Sequence, residues 1–571
     1  MSFRHHFLAA LSAIGFLGQS LAQTPPVPDA GRLLETLQPP PPPPVAPHAP
    51  IVVPAAAAPG EAADAGPAFV VRQFHIEGAH AFPESELAAI LSDLVGREVT
   101  LGSVRQGVER ITRHYQEAGY FVARAYLPPQ TIANGEVRIT VLEGRLGAVN
   151  LADVPGDPDG QLKARMAATL AAQGLTPQQP ITRDPLERGV LLLEDLVGAE
   201  VKASLRPGAS LGSGDLNLET RGRAPVSGNL GLDNYGSRYT GAWRANGGIN
   251  FAQPFLAGDS LGLRLIHGEG LDFLLAAYQA PVGYDGLKLG LNASWMRYEL
   301  CCGAPPIGSK GEASTVAATA SYPLVLRQNH SLSLTGSLEH KALKDDTRAG
   351  NVSDKTLDLG SFGVNATISV GNLVQRGDAT LVRGRLDLSG NGAALAQDAA
   401  SARSNGDYTK LRYGYSLRFN ATATDILQLR ITGQWAEKNL DSSEKMSLGG
   451  IDGVRAYPTG EASGDEGWLA RLEWAKLLPL EALPGQLGAT AFIDSGRIRL
   501  NRRPWGALAG SRQEYGLSGA GLGLTWMAPG GFTAAAVLAT PIGGNPGRVN
   551  GLDSDGRRQH ERFWLLLNHP L

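Results

Sequence analysis

Residues 410–435 read KLRYGYSLRFNATATDILQLRITGQW, and the pattern of this stretch decides the fold. Leu411, Tyr413, Tyr415, Leu417 and Phe419 alternate with Lys410, Arg412, Ser416 and Arg418. After a short NATATD connection, Leu427, Leu429 and Ile431 alternate with Gln428, Arg430 and Thr432. A period of two places alternate side chains on opposite faces of an extended strand. Other runs repeat the pattern: TGAWRANGGINFA, SLGLRLIHGEG, DFLLAAYQA, KLGLNASWMRYEL, HSLSLTGSLEH and GLSGAGLGLTW. From residue 226 to the end there are about sixteen such segments, the signature of an antiparallel transmembrane β-barrel.

The connections carry an independent signal. The short ones, PFLAGDS, PVGYDG, NATATD and MAPGG, fall at even positions. The long ones, ELCCGAPPIGSKGEAS, KALKDDTRAGNVSDKT, SGNGAALAQDAASARSNGD and PIGGNPGRVNGLDSDGRRQ, fall at odd positions. Outer-membrane barrels have short periplasmic turns and long outer loops, so the first strand is expected to run outward.

Composition agrees. Glycine is abundant at 72 residues, as many tight turns require, and the net charge of −3 leaves no basic excess for a nucleic-acid partner. Residues 1–22 read as a signal peptide. Arg4, His5 and His6 precede the apolar FLAALSAIGFLG, and Ser20 and Ala22 supply the small residues at the cleavage site. No later stretch is long and apolar enough for a membrane-spanning helix.

Between signal and barrel the order changes. In PDAGRLLETLQ, Asp29 can cap a short helix whose Leu33, Leu34 and Leu37 share a face, within a segment 23–38. Such a helix is too short to stand alone in water and has to dock. Residues 39–68 are a Pro/Ala-rich linker, an extended spacer of roughly 3 Å per residue. Residues 69–144 read strand, helix, helix, strand, strand. The first strand is FVVRQFHIEG, with Val70, Arg72, Phe74 and Ile76 sharing a face in part, and the first helix is FPESELAAILSDLVG. Val104, Val108, Ile111 and Tyr115 mark the second helix. Residues 145–222 repeat that order, with Leu186, Val190, Leu193 and Val197 as the apolar face of the second helix. The expected architecture is therefore two α+β repeats followed by a sixteen-stranded barrel over 226–571.

Catalytic motifs do not survive inspection. Residues 208–212 and 258–262 match G-x-S-x-G, but each sits between strands, where a nucleophile elbow needs a strand entering and a helix leaving. Both read as turns. There is no phosphate loop, no zinc-binding H-E-x-x-H and no histidine cluster, so neither nucleotide nor metal nor other cofactor is expected. The two cysteines, Cys301 and Cys302, are adjacent and leave open a vicinal disulfide or two incidental thiols.

One loop stands out. DSSEKMSLGGIDGVRAYPTGEASGDEG joins the eleventh and twelfth segments. Further on, AFIDSGRI places Phe492, Asp494 and Gly496 on one face of a strand. A strand aspartate in a barrel faces the lumen, since charge on the lipid face is costly. If the loop folds back inside, Arg455 can form a charge-assisted pair with Asp494.

VRAY followed by FIDSG resembles the paired VRGY/F and F-x-D-x-G motifs of two-partner secretion transporters, the POTRA-barrel exporters of haemolysins and adhesins. GYFVARAYLPPQTIANGEVRITVLEG is similar to that family's first POTRA unit, and LDNYGSRYTGAW to its first barrel strands. The resemblance spans nearly the whole mature chain. It implies an outer-membrane pore whose periplasmic POTRA units bind an unfolded partner exoprotein, with the 23–38 helix as a plug. An insertase of other barrels is the alternative within the superfamily. The resemblance also implies that Arg455 pairs with Asp494 to hold the loop against the wall, that Val454 and Tyr457 pack the tip, and that Phe492 and Gly496 shape the wall. The chain departs at Ala456, where the family usually has glycine. A methyl group there disfavours a positive φ and is expected to reshape the loop tip. It also departs at its last residues, Pro570 and Leu571, where an aromatic terminus is usual.

Overall fold

The computed structural model describes residues 28–37, 67–196, 198–303, 308–479 and 483–571. The signal segment and nearly all of the linker lie outside the described residues, as does Val197.

Sixteen antiparallel strands close into a barrel, each bonded to its neighbours in sequence. The first, Val226–Asp233, meets the last, Arg562–Pro570, with Leu566 opposite Asp233 and Pro570 opposite Asn229. The Leu571 amide then donates to the Gly228 carbonyl at 2.8 Å. The alternation sorts side chains as expected. Leu265, Leu291, Leu338, Phe362, Leu381, Leu522 and Leu524 are exposed on the outer face, while Asp233, Lys341, Lys410 and Asp494 are buried on the inner one. A belt of this kind is solvated by lipid.

One loop expectation is overturned. Residues 341–356 form no long loop, because the strands His330–Thr347 and Gly350–Val370 continue through them and turn at residues 348 and 349. The alternation persists there, with Lys341, Leu343 and Asp345 facing inward. Register pairs such as Lys341 with Leu357 and Leu343 with Lys355 keep the hairpin bonded beyond the lipid belt. The outer loop 388–405 carries a short helix, Gly392–Ala400. The sequence match at residues 208–212 sits in the turn between the strands Ala199–Pro207 and Ser213–Gly222. The match at 258–262 runs out of the 253–259 turn into the strand Ser260–Gly268.

The two units ahead of the barrel share one topology. In the first, Gln73–Glu77 pairs parallel with Glu136–Leu142, which pairs antiparallel with Arg124–Tyr126. In the second, Arg145–Leu151, Ser213–Gly222 and Ala199–Pro207 repeat that order. Val104, Val108, Ile111 and Tyr115 are buried as one face of the helix Leu101–Glu117, whose Thr100 hydroxyl caps the Ser103 amide.

Two local readings need correction. The first strand breaks at residues 71 and 72, so Val71 is buried and Val70 exposed, reversing the alternation before Phe74. The helix beginning at Glu84 ends at Ala89 and gives way to a 3-10 turn, Ser92–Leu94. That turn presses Leu91 and Leu94 onto Gly107, where a Cβ would stand 2.8 Å from each side chain. Glu143 ties the unit together by accepting hydrogen bonds from the amides of His80 and Ala81 and from Tyr115 Oη. Burial pushes its carboxyl up, but those donors outweigh it and hold it below the usual range.

The second unit is seated on the periplasmic turns of the barrel. Arg188 donates to the carbonyls of Asp285 and Pro323, both at 3.0 Å, and Arg165 to that of Gly283 at 2.6 Å. Arg327 pairs with Asp184 and Lys288 with Asp195, each at 2.6 Å.

Candidate functional site: a loop and a helix inside the barrel

The loop 437–465 descends into the lumen. Its fold requires glycine at residue 453, where a Cβ would stand 2.0 Å from the Leu448 carbonyl oxygen, and at Gly450, with φ +113°. That geometry turns residues 454–457 against the wall made by the last five strands.

There Arg455 grips Asp494 in a bidentate pair, with Nε to Oδ2 at 2.8 Å and the second guanidinium nitrogen to Oδ1 at 2.7 Å. The Arg455 amide also donates to Oδ2 at 3.1 Å. The guanidinium lies 3.4 Å from the Phe492 ring centroid, and its remaining nitrogen is 2.8 Å from Glu473. Arg471 completes the cluster, 3.1 Å from Glu473 and 3.7 Å from Asp494. Trp564 Nε1, on the last strand, donates to the Arg455 carbonyl at 2.8 Å. Val454 and Tyr457 are buried with Leu448, Phe492, Tyr515 and Leu517. Gly496 leaves room for Leu448, whose Cδ2 would be 2.8 Å from a Cβ there.

The structure thus brings together all seven residues singled out in the loop and wall. Ala456 is not at positive φ, in keeping with its methyl group, which rests on the wall at Gly519, where a Cβ would stand 2.5 Å away. A larger residue at 519 overpacks this contact at about 1–3 kcal/mol. Gly519→Val is expected to make the 437–465 loop sensitive to protease in the folded barrel. Adding Ala456→Gly should recover most of the protection; equal sensitivity with and without it would show that the two residues do not act through each other.

The other end of the loop is fixed to the opposite wall, which sequence reasoning missed. Glu444 is bound by Lys341 and Lys410, both at 2.8 Å, and Asp441 by Lys355 at 2.9 Å. Burial raises the Glu444 carboxyl, but Lys410 and Lys341 outweigh it and pull it down to about 2. Asp465 accepts from the amides of Leu440 and Arg502 and from Lys445 Nζ. The available signal was Lys410 on the inward parity of its strand, a position that is costly without a partner, whereas Lys341 and Lys355 fell in the stretch read as a loop.

The helix Ala30–Leu37 stands in the outer half of the lumen. Its cap forms as read, with the Arg32 amide donating to Asp29 Oδ1 at 2.8 Å. The Ala30 amide donates to Asp345 Oδ1, which also accepts from Tyr298 Oη. Leu33, Leu34 and Leu37 are buried in a cluster that includes Phe273, Met296, Leu343 and Leu357 of the wall. Gly31 lies against the Ser442–Glu444 turn of the loop, where a Cβ would meet Ser442 Oγ at 2.6 Å and the Ser443 amide at 2.7 Å. Glu35 accepts from Ser447 Oγ at 3.1 Å. The wall, the loop and the helix leave two cavities of about 590 and 760 Å³ in the lumen, each lined by both polar and apolar side chains.

In the outer loops, Cys301 and Cys302 form a vicinal disulfide.

A closed barrel with a lipid-facing belt, filled by a helix and a loop of its own chain and carrying two repeats at its periplasmic rim, defines an outer-membrane transporter with periplasmic POTRA units. The chain belongs to the haemolysin secretion/activation protein family ShlB/FhaC/HecB, which matches residues 212–526, and residues 69–144 match the ShlB-type POTRA domain. Among curated relatives, the heme/hemopexin transporter protein HuxB of Haemophilus influenzae is 27% identical over 493 residues, covering 84% of this chain and 83% of its own. The outer membrane transporter CdiB of Escherichia coli is 26% identical over 512 residues, covering 82% of each. The solved CdiB structure from Escherichia coli superposes with a TM-score of 0.72 at 21% identity, covering 90% of this chain and 92% of that one; it shares the fold.

Proposed function

We propose that the barrel exports an unfolded partner polypeptide in two-partner secretion, and that the helix and the loop are the parts that move. The observation that carries this reading is the lumen itself. A closed barrel is occupied by two segments of its own chain, each held by a small set of side-chain contacts. In the proposed cycle the partner docks on the POTRA units, where Gln73–Glu77 and Arg145–Leu151 are edge strands of their sheets, the second already bonded to residues 178–180 at its start, and where the rest of each edge suits β-augmentation. Docking releases the helix Ala30–Leu37, and the chain passes outward through the vacated lumen. Folding of the partner outside supplies the drive. The Arg455–Asp494 pair is the latch that seats the loop, with Val454, Ala456, Tyr457, Phe492 and Gly496 forming its socket. Residues 69–144 and 145–222 act as two recognition units, with 23–38 as the plug segment and 39–68 as its tether. The cargo is a secreted exoprotein of the kind that the names of the relatives describe, and neither nucleotide nor nucleic acid takes part.

The test is secretion of a co-expressed candidate exoprotein with and without this transporter, with other outer-membrane barrels quantified in the same cells. Export that depends on the transporter, with normal levels of other barrels, supports the reading. Loss of other barrels without any exported partner would make the protein an insertase instead.

A further inference from the structure

The lumen wall is electrically one-sided. Arg376, Arg412 and Arg430 stand on the inward face of three consecutive strands, Leu373–Asp387, Gly406–Asn420 and Asp425–Ala436. Arg376 lies opposite Ser416, which lies opposite Arg430, so the two arginines are two strand spacings apart, roughly 10 Å. Arg412 is four residues further toward the outer end of its strand, and Lys410 follows two residues beyond. Arg264 lines the smaller cavity with Arg430; the acids there are Glu35 of the helix, Asp452 of the loop and Asp233, which is already paired with Arg244 at 2.8 Å. Among the described residues, none of Arg264, Arg376, Arg412 and Arg430 makes an ion pair or a side-chain hydrogen bond, and the Arg376 Nε is buried without a partner. The acids of the larger cavity are Glu35, Glu339, Asp378 and Glu444. Glu339 and Glu444 already face Lys341, Glu35 belongs to the removable helix, and Asp378 alone stands beside three arginines. The remaining wall of that cavity is neutral, with Ser294, Thr315, Ser337 and Ser361.

What the basic face accepts is visible at its upper end. The loop lays its acidic Asp441–Glu444 turn there, with Glu444 on Lys341 and Lys410 and Asp441 on Lys355. The unpaired arginines continue the same face toward the periplasm. A low-dielectric cleft lined by one sign of charge concentrates the opposite sign.

We infer that this wall is a track for the exported chain, and that it favours acidic segments of that chain. The inference rests on the export reading for its occupant, but the charge preference is measurable without any partner. Planarity and a fixed fork of donors let each arginine hold a passing carboxylate in two orientations. The arginines follow one another along the wall about two strand spacings apart, so a segment can leave one for the next.

The test uses the full-length chain carrying Gly31→Leu, which unseats the plug, and labelled oligo-glutamate and oligo-lysine peptides as probes. Oligo-glutamate is expected to bind at least about tenfold more tightly than oligo-lysine at low salt. The triple variant Arg376→Gln, Arg412→Gln, Arg430→Gln should lose that preference, whereas the corresponding triple lysine variant, which keeps the charge, should retain most of it. In planar bilayers the same channels should pass chloride in preference to potassium, with the preference collapsing in the glutamine variant. A preference for oligo-lysine, or an anion preference untouched by the glutamine substitutions, overturns the inference. An anion-selective lumen in cells that export no partner would leave the track standing and remove the export reading.

Discussion

Arg455→Ala is expected to reduce export of the partner at least about tenfold while the barrel remains assembled, and Asp494→Ala to do nearly the same. The cluster in the wall is balanced, with Arg455 and Arg471 facing Asp494 and Glu473. Removing one member of a buried pair typically costs about 3–5 kcal/mol, because the survivor is left desolvated without compensation. Arg455→Ala leaves two carboxylates to share Arg471 and also forfeits the contact with the Phe492 ring. Asp494→Ala leaves two guanidinium groups to share Glu473, which is 23% exposed and better solvated. The arginine substitution should therefore be the more severe. The double variant should fall short of the sum of the two, since it restores one acid to one base. Exoprotein in the medium, heat-modifiable barrel on gels and protease cleavage within 437–465 are the three readouts. Unchanged export in both single variants, with the loop cleaved, would show that the seated loop is not needed for transport.

Much of this architecture is legible in the sequence because a barrel strand declares itself locally. In residues 410–435 each side chain's face follows from its parity, and the same holds for Phe492, Asp494 and Gly496. The helix Ala30–Leu37 is legible for a similar reason: an aspartate cap and three leucines fix its start and its buried side. What parity cannot show is which inward charge meets which. Lys410 is inward by alternation, and Lys341 and Lys355 only once 341–356 is seen to be a hairpin; their partners lie in a loop up to about a hundred residues away, and only the barrel register brings them together. Arg471 and Glu473 were readable as an inward pair two residues apart on one strand, but nothing local ties them to Arg455. The hairpin over residues 341–356 was misread because its outer face carries charges such as Lys344 and Asp354. Above the lipid belt that face no longer needs to be apolar, so the apolar-outside contrast that marks a membrane strand is lost while the backbone ladder and the inward parity of Lys341, Leu343 and Asp345 continue. Nor could the sequence show what Ala456 rests on: the turn is made at Gly450, six residues earlier, and the methyl group packs on Gly519 of the adjoining wall.

Gly31→Leu is expected to open the channel. An eight-residue helix has no stability of its own in water, so its place in the lumen depends on what it buries and on the cap it finds there. Full burial of a leucine is worth about 1.5–3 kcal/mol, and Leu33, Leu34 and Leu37 are nearly fully buried against the wall. The Asp345 carboxylate adds a hydrogen bond from the buried Ala30 amide, which has no partner within the helix. Against this, a side chain at residue 31 collides with the backbone of Ser443, which cannot give way without disturbing the Asp441 and Glu444 ion pairs on either side. The helix is then the weaker partner and leaves. Open-channel current in planar bilayers should change from rare to dominant. Leu34→Asp should do the same by a separate route, placing an unpaired carboxylate in the apolar cluster. Asp345→Ala should have a smaller effect, because it removes one capping bond and leaves the leucines in place. If Gly31→Leu and Leu34→Asp both remain closed with the barrel folded, the helix does not close the pore, and the loop 437–465 alone does. Opening by Leu34→Asp without opening by Gly31→Leu would instead mean that the Ser442–Glu444 turn yields to the new side chain, and that the loop rather than the helix is the softer of the two elements.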